Sequence, residues 1–144
     1  MPVNKEIDLT VPVNERTDIP YLSGYSHENE EASPGYYRVF LQDFGIDAEL
    51  TTTKRTGFHK YTFEEPGEQS VILDLGFSIN WDKPVETKII YEDERTISGY
   101  RHSTGWAKNQ KVFFVARFSK PIRKYNLFSN RQKSEGIQVE GSHT

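Results

Sequence analysis

Hydrophobic and polar positions alternate with a two-residue period through much of this chain. Tyr37, Val39 and Leu41 alternate with Arg38, Phe40 and Gln42, which predicts a half-buried strand. Asp43-Phe44-Gly45 has hairpin-turn composition. Ile46, Ala48, Leu50 and Thr52 then alternate with Asp47, Glu49 and Thr51 in a second strand. A third strand is predicted over 57–63, ending in the turn-like Glu64-Glu65-Pro66-Gly67-Glu68. The apolar run Val71 to Leu75 reads as a short buried strand. Lys88 to Tyr91 and Thr96 to Tyr100 read as two more, joined by Glu92-Asp93-Glu94-Arg95. Val112 to Phe118 is the most apolar segment, with Val112, Phe114, Ala116 and Phe118 on one face. Arg123 to Phe128 forms one further strand.

The flanks are less regular. Residues 1–25 form an irregular, proline-interrupted lead-in with one short strand near Ile7 to Val13, and 131–144 are a polar, weakly patterned tail. No segment has the pattern of a helix of ten or more residues. Short strands separated by turn signals predict an all-β, antiparallel β-sandwich in a single, partial domain over 1–144.

Composition narrows the function classes. The chain has 144 residues and a formal net charge of −3, which does not suggest the basic face of a nucleic-acid binder. No apolar run approaches the roughly 18 residues of a membrane span, so no membrane partner is expected. There is no cysteine, which removes disulfides, thiolate metal sites and cysteine nucleophiles. Eight Tyr, nine Phe and two Trp suit a sheet-built core, and aromatic rings also stack on sugars.

Two polar stretches carry the candidate chemistry. Ser26 to Tyr37 gathers His27, Glu28, Asn29, Glu30 and Glu31 ahead of a Pro34-Gly35 turn. These residues can satisfy a long loop, contact a neighbouring domain, or supply a metal ligand set or carboxylate pair. Gly99 to Trp106 reads as a glycine-flanked loop. There Trp106 can stack on a pyranose while Arg101, His102 and Ser103 bond its hydroxyls. The alternative is a core tryptophan under a tight turn. Trp81, in Ile79 to Pro84, reads as a cover over the end of the sandwich rather than a binding group. There is no Gly-x-Ser-x-Gly elbow and no phosphate loop.

Four blocks in order, SHENEEASPGYY, AELTTTKRTGFHKYTF, VILDLG and ISGYRHSTGWAKNQKVFFVARFSKP, resemble the N-terminal domain of the family 92 glycoside hydrolases over about 26–121. Those enzymes are calcium-dependent, inverting α-mannosidases, usually secreted or periplasmic. The resemblance implies that an (α/α)6 helical domain, absent from this sequence, carries the acid, the base and the calcium. It also implies that the sequence is a fragment with its early strands cut away.

On this reading the chain is an accessory domain, inactive alone and with no cofactor of its own. It packs on the helical domain and lends loop residues to an α-mannoside site. Trp106, Arg101 and His102, then His27 and Glu28, are the candidates for substrate or interdomain contact, and no catalytic residue carries over. A free-standing carbohydrate-binding module and a small hydrolase using Glu28, Glu30 and Glu31 are the competing readings. Exposed sheet edges further imply marginal stability or self-association.

Overall fold

The computed structural model describes residues 1–11 and 18–142. Among the described residues twelve strands form, all paired antiparallel, and a short 3-10 turn spans His27–Asn29. The all-β class expected from the alternation is therefore the class observed. The chain divides into two compact units. One comprises Met1–Asp8 with Val13–Leu73, and the other Leu9–Pro12 with Asp74–Thr144.

The first unit is built on a four-stranded sheet of β2 (Glu30–Ser33), β3 (Tyr36–Leu41), β4 (Ile46–Thr52) and β5 (Gly57–Phe63), in that order. Pro34-Gly35 closes the first hairpin between the paired Ser33 and Tyr36. Gly35 takes φ 81°, the left-handed value that the second central position of a type II turn requires. β1 (Pro2–Val3) and β6 (Ser70–Val71) form a small pair beside this sheet.

The predicted alternation of β3 and β4 is real. Val39, Leu41, Ile46 and Ala48 are buried on one face with Val3 and Phe44. Phe44 belongs to the hairpin turn, yet it is almost as buried as Ile46 and Val3 of the strands, and Lys5 Nζ lies 5.1 Å from its ring centre. The largest fully buried side chains, Phe44, Ile46 and Val3, all sit in this unit. Each contributes on the order of 1.5–3 kcal/mol by leaving water.

The second unit holds the sheet β12 (Gln138–Ser142), β7 (Lys83–Asp93), β8 (Thr96–Thr104) and β9 (Gln110–Arg117), in that order. A separate hairpin pairs β10 (Leu127–Ser129) with β11 (Gln132–Ser134). Its two-residue loop, Asn130-Arg131, has φ of 48° and 63°, the left-handed pair of a type I′ turn.

Several expectations change here. The polar tail is not patternless: Gln138–Ser142 pairs with Glu86 to Ile90 and completes the sheet. Gly99 to Thr104 is strand rather than loop, because β8 continues through it between β7 and β9. The run Val71 to Leu75 is not a buried strand. Only Ser70–Val71 pair, and Val71 and Leu73 are exposed. The strand expected over 123–128 begins only at Leu127. No strand forms over Ile7 to Val11, and the remainder of that expected segment lies outside the described residues.

Candidate functional site

β8 positions two of the predicted residues by alternation alone. Arg101 and His102 are neighbours in sequence and therefore project from opposite faces of the sheet. Arg101 turns toward the segment that precedes β7. Its Nε donates to Leu75 O at 2.9 Å, and its Nη2 to Phe77 O at 3.3 Å and to Asp82 Oδ2 at 2.5 Å. One guanidinium thus ties two carbonyls and a carboxylate into a single knot. The Arg101 hydrogen bond holds the Asp82 carboxyl below its usual range. Asp82 Oδ1 is buried without a hydrogen-bond partner among the described residues. The buried Ser103 directs its hydroxyl hydrogen to Gln110 Oε1 at 3.1 Å.

The chain's two tryptophans lie close by, Trp81 as the neighbour of Asp82 in sequence and Trp106 next to Trp81. Asn80, at φ 56°, turns the backbone ahead of Trp81. Just beyond β8, Gly105 packs against the same segment. A Cβ on Gly105 would stand 3.1 Å from Asp82 Cα and 3.4 Å from Trp81 Cδ1, so the close approach of the two loops depends on its missing side chain. Trp81 and Trp106 have ring centres 6.2 Å apart, tilted by 34°. Trp106 is 87% exposed and Trp81 60%, which rules out a core role for either. Two neighbouring, solvent-facing indoles, inclined to one another, offer an aromatic surface next to the Arg101–Asp82 pair.

His102 takes part in a different cluster. Its Nδ1 lies 3.3 Å from Glu86 Oε2, and its ring stacks on Tyr100 with centres 4.7 Å apart. Tyr100 donates its hydroxyl to Glu86 Oε1, which pushes the tyrosine pKa up to about 12. Phe113 packs against both rings.

His27 and Glu28 lie in the first unit, on the 3-10 turn capped by Ser26, whose Oγ accepts from Glu28 N at 3.2 Å. Glu30 is fully engaged there. It accepts from Tyr37 at 2.5 Å and meets His27 Nδ1 at 2.5 Å, and both contacts lower its pKa. Glu28, Glu31 and Glu64 line an open groove of about 620 Å³ together with Arg38, Phe40 and Asp47. Arg38 and Asp47 form a bidentate pair across it. No three His, Cys, Asp or Glu side chains among the described residues are placed to hold a metal ion.

The structure therefore joins Trp106 and Arg101 through Trp81 and Asp82, and sets His102 on the other face of β8. Trp81 and Asp82 are the residues that the sequence reading left out of the site. The signal for them was present: Trp81, like Trp106, is an aromatic residue in an otherwise polar segment.

Comparison with known proteins gives a consistent picture. Residues 1–144 match the family profile described as the glycosyl hydrolase family 92 N-terminal domain, a longer match than the 26–121 that carried the resemblance. No curated protein sequence matches the chain. Among solved structures, the family GH92 alpha-mannosidase of Bacteroides thetaiotaomicron superposes with a TM-score of 0.78 at 26% identity. The superposition covers 97% of this chain and 20% of that one. The same enzyme in complex with mannoimidazole gives the same score and identity, with 19% of its chain covered. The chain thus spans about a fifth of the length of these relatives.

Proposed function

This chain belongs to the glycosyl hydrolase family 92 N-terminal domain family, and from that membership we propose that it is the accessory domain of an α-mannosidase. It docks on a helical catalytic domain and presents the Trp81–Trp106 pair at the edge of the mannoside site. The observation that carries this reading is the exposure of Trp106, 87% in a residue that most often seeks cover. A large apolar ring held outward by an anchored loop is suited to a partner or a ligand rather than to solvent.

In the parent enzyme, inversion needs two carboxyl groups about 6.5–9.5 Å apart with water between them. We assign that pair, and the calcium, to the helical domain. The donor groups described in this chain do not fit a metal, so no step here passes through one. The contribution of this chain is to position: Arg101 fixes Asp82, Asp82 adjoins Trp81, and Trp81 backs Trp106.

A second reading, a free-standing carbohydrate-binding module, is favoured by the clustering of both tryptophans in one exposed site. Because the chain has two tryptophans and both lie here, its selectively excited tryptophan fluorescence reports on this site alone. The chain is titrated with methyl α-mannoside, then with a separately produced helical domain of the parent enzyme. The accessory reading expects no saturable response to sugar and a blue shift with the helical domain, as Trp106 leaves water. A saturable response to sugar alone establishes the module instead. Release of mannose by the chain alone overturns both.

A further inference from the structure

The His27 side chain is 84% exposed, yet its ring is held from two sides. Nδ1 lies 2.5 Å from Glu30 Oε2, and Tyr25 meets the ring at right angles, with centres 5.5 Å apart. The backbone beneath is fixed as well, since Ser26 caps the turn and Asn29 N donates to Ser26 O at 2.9 Å. Glu30 Oε1 accepts from Tyr37 at 2.5 Å, and its hydrogen bonds hold the Glu30 carboxyl below its usual range. An ionised carboxylate has no proton to give, so the hydrogen shared with His27 belongs to the imidazole. The neutral ring therefore carries its proton on Nδ1 and leaves Nε2 with a bare lone pair. No hydrogen bond reaches that nitrogen among the described residues. No group of three metal-ligating side chains is found among them either, which leaves a hydrogen-bond donor as the fitting guest.

We propose that Tyr25 and His27 form a second carbohydrate contact site, in which His27 Nε2 accepts a hydroxyl hydrogen from a pyranoside and Tyr25 packs on its C–H face. Tyr25 is 52% exposed. Glu28 and Asn29 follow His27 directly, both exposed, with a carboxylate and an amide for neighbouring hydroxyls. A pyranoside presents this mixture of apolar ring face and hydroxyl donors. The gain is preorganisation. An unheld imidazole loses side-chain freedom when a ligand arrives, whereas Glu30 and Tyr25 have already ordered this one. Glu30 is thus a positioning residue, and Tyr37 holds Glu30 in turn. The site belongs to the first unit, whereas Trp81 and Trp106 belong to the second. The choice of a mannoside as its guest rests on the mannosidase reading; the geometry itself asks only for a pyranoside.

The test is nuclear magnetic resonance of the ring nitrogens in the whole, isotopically labelled chain. At about pH 8, where imidazoles are ordinarily neutral, His27 should show a protonated Nδ1 and a bare Nε2. Titration with methyl α-mannoside should move the Nε2 signal and the Glu28 and Asn29 amides saturably, while the His102 ring signals in the other unit stay still. Methyl α-glucoside is titrated separately. His27→Ala should abolish the amide response and leave the melting temperature unchanged, because the ring is largely in solvent. Glu30→Gln offers a single acceptor to two donors. It should release the tautomer and weaken the sugar response at least about tenfold. A merely structural Glu30 would change stability and leave that response alone. A proton on Nε2 in the unliganded chain overturns the proposal. So does the absence of a saturable response to either sugar, or a response that His27→Ala leaves intact. A response to the glucoside without one to the mannoside sustains this site and counts against the mannosidase reading, so the two can fail separately.

Discussion

Arg101 Nη2 and Asp82 Oδ2 are 2.5 Å apart, and through this bond a strand of the second unit fixes the loop that carries Trp81. Replacing Arg101 by alanine removes the donor to Leu75 O, Phe77 O and Asp82 at once. The carboxylate then stays partly buried without its counter-charge, at a cost of about 1–3 kcal/mol. Urea unfolding should show a lower midpoint of that size. The pair also sets an acid limit. The Asp82 pKa is lowered in the fold, so its stabilisation is present above the unfolded value of about 4 and is lost as pH falls through the folded one. Melting temperature should drop as pH falls below about 4, and Asp82→Asn should flatten that drop while lowering stability at neutral pH.

Burial and hydrogen bonding raise four tyrosines, Tyr36, Tyr37, Tyr61 and Tyr100, and Tyr37 and Tyr100 the most. Hydrogen bonds to Glu30 and Glu86 push Tyr37 and Tyr100 up to about 12. A raised pKa gives stability that is present below the unfolded value of about 10 and is lost as pH rises through the folded one. An ultraviolet titration should find these two hydroxyls ionising last, together with unfolding. Tyr37→Phe should narrow the window of alkaline loss.

Trp106→Ala touches almost nothing within the chain. Its melting temperature should match that of the wild type, since exposed substitutions change stability by about 0.5 kcal/mol or less. The fluorescence change on adding the helical domain should disappear. Trp81→Phe leaves Trp106 as the sole tryptophan, and its emission maximum should be that of an indole in water.

Gly99 cannot take a side chain. A Cβ there would stand 2.1 Å from Lys88 O and 2.8 Å from Phe114 Cζ. The first neighbour is backbone in the adjacent strand, so relief requires β7 to move. Gly99→Ala should cost about 3 kcal/mol or prevent folding, at the upper end of overpacking penalties. Circular dichroism and a denaturant curve decide it.

How much was legible depended on where each residue's partner lies. β3 and β4 could be read from alternation because one face of each enters a common core, with Val39, Leu41, Ile46 and Ala48 buried. Gly99 to Thr104 looked like a loop because Arg101, His102 and Ser103 are polar. In the strand each of them finds its own partner, in Asp82, Glu86 and Gln110 respectively, so polarity did not mean a turn. Val71 to Leu75 showed the opposite failure, since a short apolar run carries no period to tell a buried strand from an exposed segment. The tail could not be read at all, because the pairing of Gln138–Ser142 depends on residues about fifty positions earlier. The candidate site was half visible: Trp106 and Arg101 were, while Trp81 and Asp82 needed the fold to bring them over.

The pairing of Gln138 with Ile90 and of Ser142 with Glu86 also bears on how the polypeptide matures during translation. While the ribosome has yet to add these five residues, β7 is an outer strand of its sheet, as β9 is at the opposite flank. At that stage the sheet lacks the strand that covers β7, and pairing at so large a sequence separation is slow to close. Crowded polysomes are therefore the setting in which neighbouring copies have their best opportunity to meet out of register.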